Sequence, residues 1–305
     1  MEIHLVNFIF LNFTVVVLLV GVIVNLKESY LPQFVSQAFR YGKHKHKGKT
    51  NTIINLMEIP KSCFKHFYAF ALFWSLWGLY LVLKTIILST PVPDGIVQFL
   101  DLVAGGSYRP ILVKSSSALI AIVLLSIQCV RRFYETWMMQ IFSSNGKINI
   151  SHYFVGYLHY FGAVIAILAN TEGFVKGSKP SPFSLNKVEI YKFIFIIIFH
   201  IAWKQQFNSN KILVEGRMDQ NGKISQDHIL PRGGFFDLIS SPHMFFEIVI
   251  YLSIFGIIPE SQTWLYCTIW VTVNQIQNAL LTHKWYLTTF KDYPKQRKAI
   301  IPFIL

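Results

Sequence analysis

The sequence predicts an all-α integral membrane protein with six to seven transmembrane helices and polar loops on the cytosolic side. Hydrophobic residues make up 53% of the 305-residue chain and charged residues only 14%, against about 25% in a typical soluble domain. The mean hydropathy is +0.43. Apolar segments recur along the whole chain, so we expect a single membrane domain over residues 1–305.

Seven apolar segments approach the length of about 17–25 residues that a helix needs to cross a bilayer. They are Leu5–Leu26, 67–88, 112–130, 153–169, 188–203, 244–258 and 264–281. The fourth, fifth and sixth are short, which leaves six spans open as an alternative to seven. The first segment is too long for a removable signal peptide and lacks a small-residue cleavage site. We expect it to be a retained anchor.

The formal net charge of +13 by itself would suit a nucleic-acid partner. The distribution of this charge indicates a membrane protein instead, because the Lys and Arg residues are concentrated in alternate loops. With seven alternating helices, 21 of the 28 Lys and Arg fall on one side, in the segments 27–66, 131–152, 204–243 and 282–305. This is the positive-inside pattern. It predicts an exoplasmic N terminus, a cytosolic C terminus and no nucleic-acid partner.

The sequence shows no signal for a metal site. Cys63, Cys129 and Cys267 have neither a disulfide pattern nor a zinc-ligand spacing. The basic tract 40–49 contains alternating histidines, but a charge run of this kind is typical of a solvated loop near anionic membrane lipids. We therefore expect membrane lipids, and no metal, as partners.

Two clusters lie at the predicted cytosolic ends of spans. Glu58 precedes the second span, where Pro60 suits the first turn of a helix. A carboxyl there either caps the helix or, against hydrocarbon, stays protonated and acts as a general acid. Arg131 and Arg132 end the third span. They serve as positive-inside anchors or, through the planar guanidinium fork, as phosphate ligands.

Two further clusters follow in the C-terminal third. A tight turn is predicted at 231–234, and His243, Glu247 and Tyr251 recur every four residues on one helix face. An ionisable residue within a span usually marks a functional site. No G-x-G-x-x-G fingerprint is present, which excludes a soluble dinucleotide-binding fold. His283 and the basic tail complete the largest polar surface on the predicted cytosolic side.

The third and fourth clusters resemble the C-terminal half of the steroid 5α-reductase family. The match covers 231–235, 240–247 and 283–303, including the tail Lys-Asp-Tyr-Pro-Lys-x-Arg-Lys-Ala-x-x-Pro-Phe. The segments 58–68 and 131–135 are similar to its polyprenol (polyprenal) reductase branch. The resemblance implies a multi-pass enzyme of the endoplasmic reticulum membrane that reduces a polyprenoid lipid with NADPH in dolichol synthesis. Residues 200–305 would then form the NADPH-binding region.

The resemblance also implies site residues. Glu58 matches the family's glutamate beside the substrate carbonyl, and Tyr286 and Tyr134 are the other expected catalytic residues. The steroid branch pairs the glutamate with a tyrosine where this sequence has Gln128 or a neighbour, which argues against a steroid substrate. The expected cofactor-binding residues are Arg131, Asn210, Arg217, His243, Glu247, Tyr251, His283, Tyr286 and Arg297.

The chemistry narrows the substrate. A hydride adds to an alkene carbon only if the resulting negative charge is delocalised, as in an enal, so the polyprenoid should react as its aldehyde. Steroid enones and 2-enoyl thioesters are the alternatives within the family. A membrane methyltransferase of the isoprenylcysteine type, which would bind S-adenosylmethionine, and a non-catalytic lipid-binding protein are more remote alternatives.

Overall fold

The computed structural model describes residues 4–40, 52–143, 146–218 and 228–305. Beyond Arg40, the basic tract expected at 40–49 lies outside the described residues. The described chain is built mainly from α-helices: α1 Leu5–Leu26, α2 Gln33–Phe39, α3 Thr52–Leu56, α4 Phe64–Ile86, α5 Asp94–Val103, α6 Ser115–Tyr134, α7 Ile150–Leu168, α8 Ile190–Glu215, α9 Pro242–Ile257 and α10 Gln262–Thr289.

Four helical segments of the described chain are long and apolar enough to cross a membrane. They are α1, α4 with its preceding turn (Lys61–Ile86), α6 with its following turn (Ser115–Met139), and α7. The protein is therefore a multi-pass membrane protein. All seven predicted segments fall on helices, namely α1, α4, α6, α7, α8, α9 and α10.

The remaining three helices differ from ordinary spans for physical reasons. Helix α9 has only 16 residues, fewer than a bilayer-spanning helix needs. Helices α8 and α10 have 26 and 28 residues, but polar residues interrupt their apolar sequence. Among these, Asn210 of α8 and Asn278 of α10 line the cavity described below. The polar residues that line the cavity thus lower the mean hydropathy of α8 and α10.

The long helices pack in extended pairs. Helix α4 lies along α6 and α7, α8 along α9, and α1 along α10, which also contacts α9. Small residues permit the close approaches: a Cβ atom added to Gly78 of α4 would lie 2.7 Å from Cγ1 of Val164 on α7. Between α1 and α10, Asn25 Nδ2 donates a 2.9 Å hydrogen bond to Gln277 Oε1. The core is one large apolar cluster shared by these helices.

A two-stranded ribbon joins two segments that are distant in sequence. Strand β1 (Glu58–Pro60) pairs antiparallel with β2 (Lys147–Asn149), with Glu58 opposite Asn149. The helix start expected at Pro60 therefore lies further along, at Phe64, after a 3₁₀ turn over Lys61–Cys63. Pro60 lacks an N–H group and can end a short edge strand without losing a ladder hydrogen bond.

The C-terminal tail folds back onto the bundle. Ser240 N donates to Lys298 O at 2.8 Å, and Lys298 N donates to Leu238 O at 3.0 Å. The tight turn predicted at 231–234 is confirmed, because Gly233 and Gly234 have positive φ angles of 88° and 54°, which glycine adopts at little cost. The turn and the tail together cover the end of the bundle where α8 ends and α9 begins.

Candidate active site

Five helix ends meet around a cavity of about 490 Å³. Its wall is formed by the first residues of α4 and α9 and the last residues of α6, α8 and α10. A smaller chamber of about 140 Å³ adjoins it. The two share the lining residues Tyr68, Arg132, Asn210, His243 and Met244. We refer to them as the main cavity and the inner chamber.

The first polar network of the site is centred on Arg132. Its Nη2 donates a 2.9 Å hydrogen bond to the hydroxyl of Tyr68, and its Nη1 donates to Glu135 Oε2. Asn210 Nδ2 donates to the same carboxylate oxygen at 3.0 Å. Glu135 opens a π-helical turn, Glu135–Met139, that continues α6, and such turns are frequent at functional sites. The network links α4, α6 and α8.

The second network holds Glu247 in the inner chamber. Gln128 Nε2 donates to Glu247 Oε2 at 3.0 Å, and Gln206 Nε2 donates to the same oxygen. Arg131 fixes both amides, since it donates to Gln128 Oε1 at 2.7 Å and to Gln206 Oε1. Arg131 is 4% exposed and lines neither space. Its position is therefore suited to orienting Gln128 and Gln206, and not to contacting a cofactor.

The structure brings together five of the residues predicted to bind a cofactor. Asn210, Arg217, His243 and Tyr286 line the main cavity, and Glu247 lines the inner chamber. His243 and Glu247 lie on α9 one turn apart, together with Tyr251, as their spacing predicted. Arg217 follows the end of α8, where its Nη1 donates to Ile141 O at 3.1 Å.

Tyr251 lies behind this wall. It is fully buried, its hydroxyl lies 2.7 Å from Nε2 of His159, and its ring stacks on Trp264 with centroids 5.6 Å apart. It lines neither the main cavity nor the inner chamber. Its contacts join α7, α9 and α10 beneath the site.

His283 and Arg297 support Tyr286 through the tail. The ring of Tyr293 stacks on Tyr286 at 5.9 Å, and Arg297 lies 5.3 Å over the Tyr293 ring while its Nη1 donates to Pro231 O. His283 Nδ1 is 3.0 Å from the Tyr293 hydroxyl. Burial lowers the pKa of the Arg297 guanidinium and raises the pKa of Tyr293. These groups pack the tail against the cavity wall and do not line the cavity.

Two of the three predicted catalytic residues, Glu58 and Tyr134, do not line the main cavity or the inner chamber. Glu58 lies in β1 with its side chain 10% exposed, and its carboxylate is 3.7 Å from Nζ of Lys147. Lys147 itself lines the main cavity, whereas Glu58 does not. Tyr134, near the end of α6, is 49% exposed and lines neither space. Tyr286 is the one predicted catalytic residue among the described lining residues.

Several lining residues are absent from the predicted catalytic and cofactor-binding residues. Tyr68, Glu135 and Lys61 line the main cavity, and Gln206 lines the inner chamber. Arg132, which the sequence marked only as an anchor or a phosphate ligand at the end of the third span, also lines the main cavity. Tyr68 and Gln206 carry no local signal, since their partners are distant in sequence.

The charges of the main cavity suit an anionic ligand. Its described lining includes the cations Lys61, Arg132, Lys147 and Arg217 but one carboxylate, Glu135, which Arg132 already engages. Burial lowers the pKa of the Arg217 guanidinium, yet arginine remains charged in proteins. Surplus cations recognise phosphate groups. The amide of Asn210 and, in the inner chamber, the carboxylate of Glu247 add groups that hydrogen-bond an amide or a ribose. These cations and polar groups together fit a nicotinamide dinucleotide.

Comparison with known proteins decides the family. A family model described as 3-oxo-5-alpha-steroid 4-dehydrogenase matches residues 160–305. A polyprenal reductase of Drosophila melanogaster is 48% identical over 307 aligned residues, which cover 100% of this chain and 94% of the relative. The chain belongs to the polyprenal reductase branch of the steroid 5α-reductase family. Polyprenal reductases of Caenorhabditis elegans and Xenopus tropicalis are 33% and 32% identical, covering 87% and 91% of this chain and 85% and 90% of the relatives.

Membership of the polyprenal reductase branch makes the chain an oxidoreductase that acts on a carbon–carbon double bond. The reductase family indicates a nicotinamide cofactor, in agreement with the cationic lining. The matched segment 160–305 contains α8, α9, α10 and the tail. Helices α4 and α6 lie before that segment, and they supply Tyr68 and Arg132 to the same cavity. The site is therefore assembled from both halves of the chain.

Proposed function

We propose that this protein is an NADPH-dependent reductase of the endoplasmic reticulum membrane that saturates the α-isoprene double bond of polyprenal in dolichol synthesis. The observation that carries the proposal is the position of the site. A cavity with surplus cations lies at one end of a membrane helix bundle, and the chamber that adjoins it is lined in part by Tyr68, whose ring packs against the apolar core. Such a site accepts a charged cofactor from water and the head of a lipid from the bilayer. A relative aligned over the full chain is named for this substrate.

The aldehyde is the form that this chemistry requires. NADPH supplies a hydride, and a double bond accepts it at the β-carbon only when a conjugated carbonyl takes up the negative charge. The protein must then place a hydrogen-bond donor at the carbonyl oxygen and allow a proton to reach the α-carbon. The isoprenoid chain can remain among the helices while its head reacts, which explains the membrane location of the enzyme.

We base the proposed cofactor-binding roles on which residues line the main cavity and the inner chamber. We assign the phosphates of NADPH to Arg217 and Lys61, and the nicotinamide end to Asn210, His243, Glu247 and Tyr286. Preference for NADPH over NADH is expected from the surplus of cations, because each additional phosphate contact to a cation contributes about 1.5–3 kcal/mol. Arg131, Tyr251, His283 and Arg297 act behind the wall by holding these groups in position. Residues 200–305 thus form most of the cofactor region.

Among the predicted catalytic residues, Tyr286 is proposed to contact the cofactor. Glu58 is proposed to act through Lys147, whose ammonium group lies 3.7 Å from its carboxylate and borders the main cavity. Tyr134 is exposed near the end of α6 and is proposed to lie where the bundle meets the headgroups, a position that tyrosine favours.

The proposed topology has seven spans, with the N terminus lumenal and the C terminus cytosolic. It is supported by the distribution of Lys and Arg and by the coincidence of seven apolar segments with seven helices. A soluble cytosolic cofactor then reaches the main cavity directly, because described residues of the basic segments, Lys61, Arg132, Lys147 and Arg217, line the cavity. Membrane lipids surround the outer faces of α1, α4 and α8, which expose many large apolar side chains.

An activity panel tests the function. The purified protein in detergent is given NADPH with polyprenal, a 3-oxo-4-ene steroid or a 2-enoyl-CoA, and products are identified by mass spectrometry. Saturation of polyprenal, with much slower reduction of the other two, is the expected result. Preferential reduction of the steroid would instead assign to the protein the activity named in the description of the family model. Oxidation of NADPH with none of the three would contradict the proposal.

A further inference from the structure

We infer that the hydroxyl group of Tyr68, held by Arg132, donates the hydrogen bond that polarises the carbonyl oxygen of the substrate. The inference rests on the proposed function, because it concerns the aldehyde that the site would bind. It assigns a catalytic residue that the sequence did not single out. It also accounts for a half-buried contact between Tyr68 of α4 and Arg132 of α6.

The direction of the hydrogen bond between the two residues is fixed by chemistry. An arginine guanidinium can only donate, so the Tyr68 oxygen is the acceptor of the 2.9 Å bond from Arg132 Nη2. The phenolic hydrogen is then available for another acceptor. Within the described part of the chain no residue accepts it, and Tyr68 is not fully buried. The natural acceptor is a ligand atom in the space that Tyr68 lines.

Arg132 also prepares the phenol for donation. Its guanidinium carbon lies 4.9 Å from the centre of the Tyr68 ring, and its positive charge stabilises negative charge that develops on the phenol oxygen. Glu135 and Asn210 hold this arginine from the other side. Arg132 is therefore a positioning residue, and the group that would touch the substrate is the Tyr68 hydroxyl.

The location of Tyr68 suits a lipid aldehyde. It is one of the five residues that border both the main cavity and the inner chamber. One side of its ring is apolar, since it packs near Phe67 and Tyr160 with ring centroids 4.6 and 5.8 Å away. The hydroxyl thus lies where the polar cavity meets the aromatic core of α4 and α7, which is where the polar head of a membrane-embedded aldehyde would end.

The reaction step balances as follows. NADPH, when bound, would supply the hydride that forms the new C–H bond at the β-carbon. The α,β π bond then breaks, its electron pair forms a double bond between the α-carbon and the carbonyl carbon, and the C=O π pair moves to the carbonyl oxygen. Tyr68 gives its proton to that oxygen, which produces an enol and leaves a tyrosinate beside Arg132. The enol then returns its O–H proton to the tyrosinate as its C=C electron pair takes a proton from a water molecule at the α-carbon, and a solvent proton neutralises the hydroxide that is left. One hydride and one water-derived proton are consumed.

The test compares Tyr68→Phe with two matched variants. Tyr157→Phe is the control, because it also removes a tyrosine hydroxyl near α4. The hydroxyl of Tyr157 contacts that of Tyr153, and Tyr157 lines neither the main cavity nor the inner chamber. Glu58→Gln removes the carboxylate predicted from the sequence. Geranial, a short isoprenoid enal, is labelled with ¹³C at the carbonyl, and its stretching band is recorded by infrared difference spectroscopy on the protein without cofactor.

The expected band lies at lower frequency on the wild-type protein than in detergent alone, because a strong hydrogen bond weakens the C=O bond. Tyr157→Phe and Glu58→Gln keep the lowered band, and Tyr68→Phe loses it. With NADPH and polyprenal, Tyr68→Phe lowers kcat by about 10²–10⁴-fold, as removal of a general acid does, while the fluorescence titration with NADPH is unchanged. Tyr68→Leu serves as the second variant should the phenylalanine variant fail to fold.

The two proposals fail in different ways. A wild-type protein that reduces polyprenal, together with a Tyr68→Phe variant that keeps both the lowered band and its turnover, would overturn the role of Tyr68 and leave the function intact. Loss of the lowered band in Glu58→Gln alone would return the role to Glu58. A wild-type protein that leaves polyprenal unreduced would refute the proposed function, whatever the infrared band shows.

Discussion

Gln128 Nε2 donates a 3.0 Å hydrogen bond to Glu247 Oε2, which ties the last turns of α6 to the first turns of α9. Gln206 donates to the same oxygen from α8. Both described bonds go to Oε2, which leaves Oε1 for a ligand in the inner chamber that Glu247 lines. Three helices thus hold one carboxylate in a fixed position, as an ordered binding site requires.

Substitution of Glu247 by glutamine should weaken cofactor binding. The amide keeps the size of the side chain but removes the charge, and hydrogen bonds to charged groups contribute about 1.5–3 kcal/mol. The Kd for NADPH should therefore rise by about tenfold or more, measured by nicotinamide fluorescence in detergent. Glu260→Gln is the matched control, because Glu260 is exposed and lies between α9 and α10, away from the cavity. Unchanged affinity in Glu247→Gln would remove Glu247 from the binding site.

Arg217 should determine the choice between NADPH and NADH. If it binds the additional phosphate, Arg217→Ala raises the KM for NADPH by about 10–100-fold, corresponding to the loss of one charge-assisted contact. The KM for NADH should change little. Lys211→Ala removes a nearby cation that is 57% exposed and paired with Glu215 on the helix surface, and it should leave both values unchanged. An equal effect of Arg217→Ala on the two cofactors would show that Arg217 does not read that phosphate.

The helices were predictable because each depends on a local property of the sequence. The first predicted span, Leu5–Leu26, coincides with α1. Helix α8 was predicted to end near residue 203 but extends to Glu215. Its last turns carry Gln206 and Asn210, which are too polar for a membrane span and are satisfied by other helices. A hydropathy pattern does not register polar residues that face a cavity.

The contacts that define the site depend on residues far apart in sequence. Tyr68 and Arg132 are separated by 64 positions, and Asn210 and Glu135 by 75. Neither contact follows from a periodicity or a motif, and the resemblance to a family identified mainly residues of the C-terminal half. The strand that contains Glu58 was not predicted for a similar reason, since its three residues form a strand only by pairing with β2.

The end of the bundle opposite the cavity gives a prediction on pH. Burial opposes ionisation of Glu172, but hydrogen bonds from Ser115 and Ser181 outweigh it and keep the pKa of the carboxyl below its usual value. The backbone N–H and hydroxyl of Ser115 lie 3.1 and 3.0 Å from Glu172 Oε2. A carboxyl whose pKa is lowered by folding stabilises the folded state above its unfolded pKa of about 4.3, and this contribution is lost as the pH falls below that value.

Glu172→Gln should therefore lower the Tm by a few degrees at pH 7, and the difference from wild type should shrink as the pH is lowered from 4.5 towards 3. Thermal melting of the purified protein in detergent measures both. Glu260→Gln, at the same end of the bundle, should show no such difference at pH 7. A Glu172→Gln difference that is constant across this range would mean that ionisation of the carboxyl does not stabilise the fold.

The seven-span topology predicts opposite locations for the two termini. A reporter fused after Leu305 should be cytosolic and one attached at Met1 should be lumenal, because 21 of 28 Lys and Arg lie in the segments assigned to the cytosol. Protease protection in sealed microsomes distinguishes the two sides. Both reporters on the same side would require an even number of spans, and α9 with its 16 residues would be the first helix to reassign.

The most direct test of the account follows the hydride itself. The protein is supplied with NADPH that carries deuterium at the transferable position of the nicotinamide, together with polyprenal, and the product is analysed by NMR. One deuterium is expected at the β-carbon of a saturated α-isoprene unit, with the aldehyde retained. Deuterium at the carbonyl carbon, with the double bond intact and an alcohol formed, would show that the protein does not saturate the double bond.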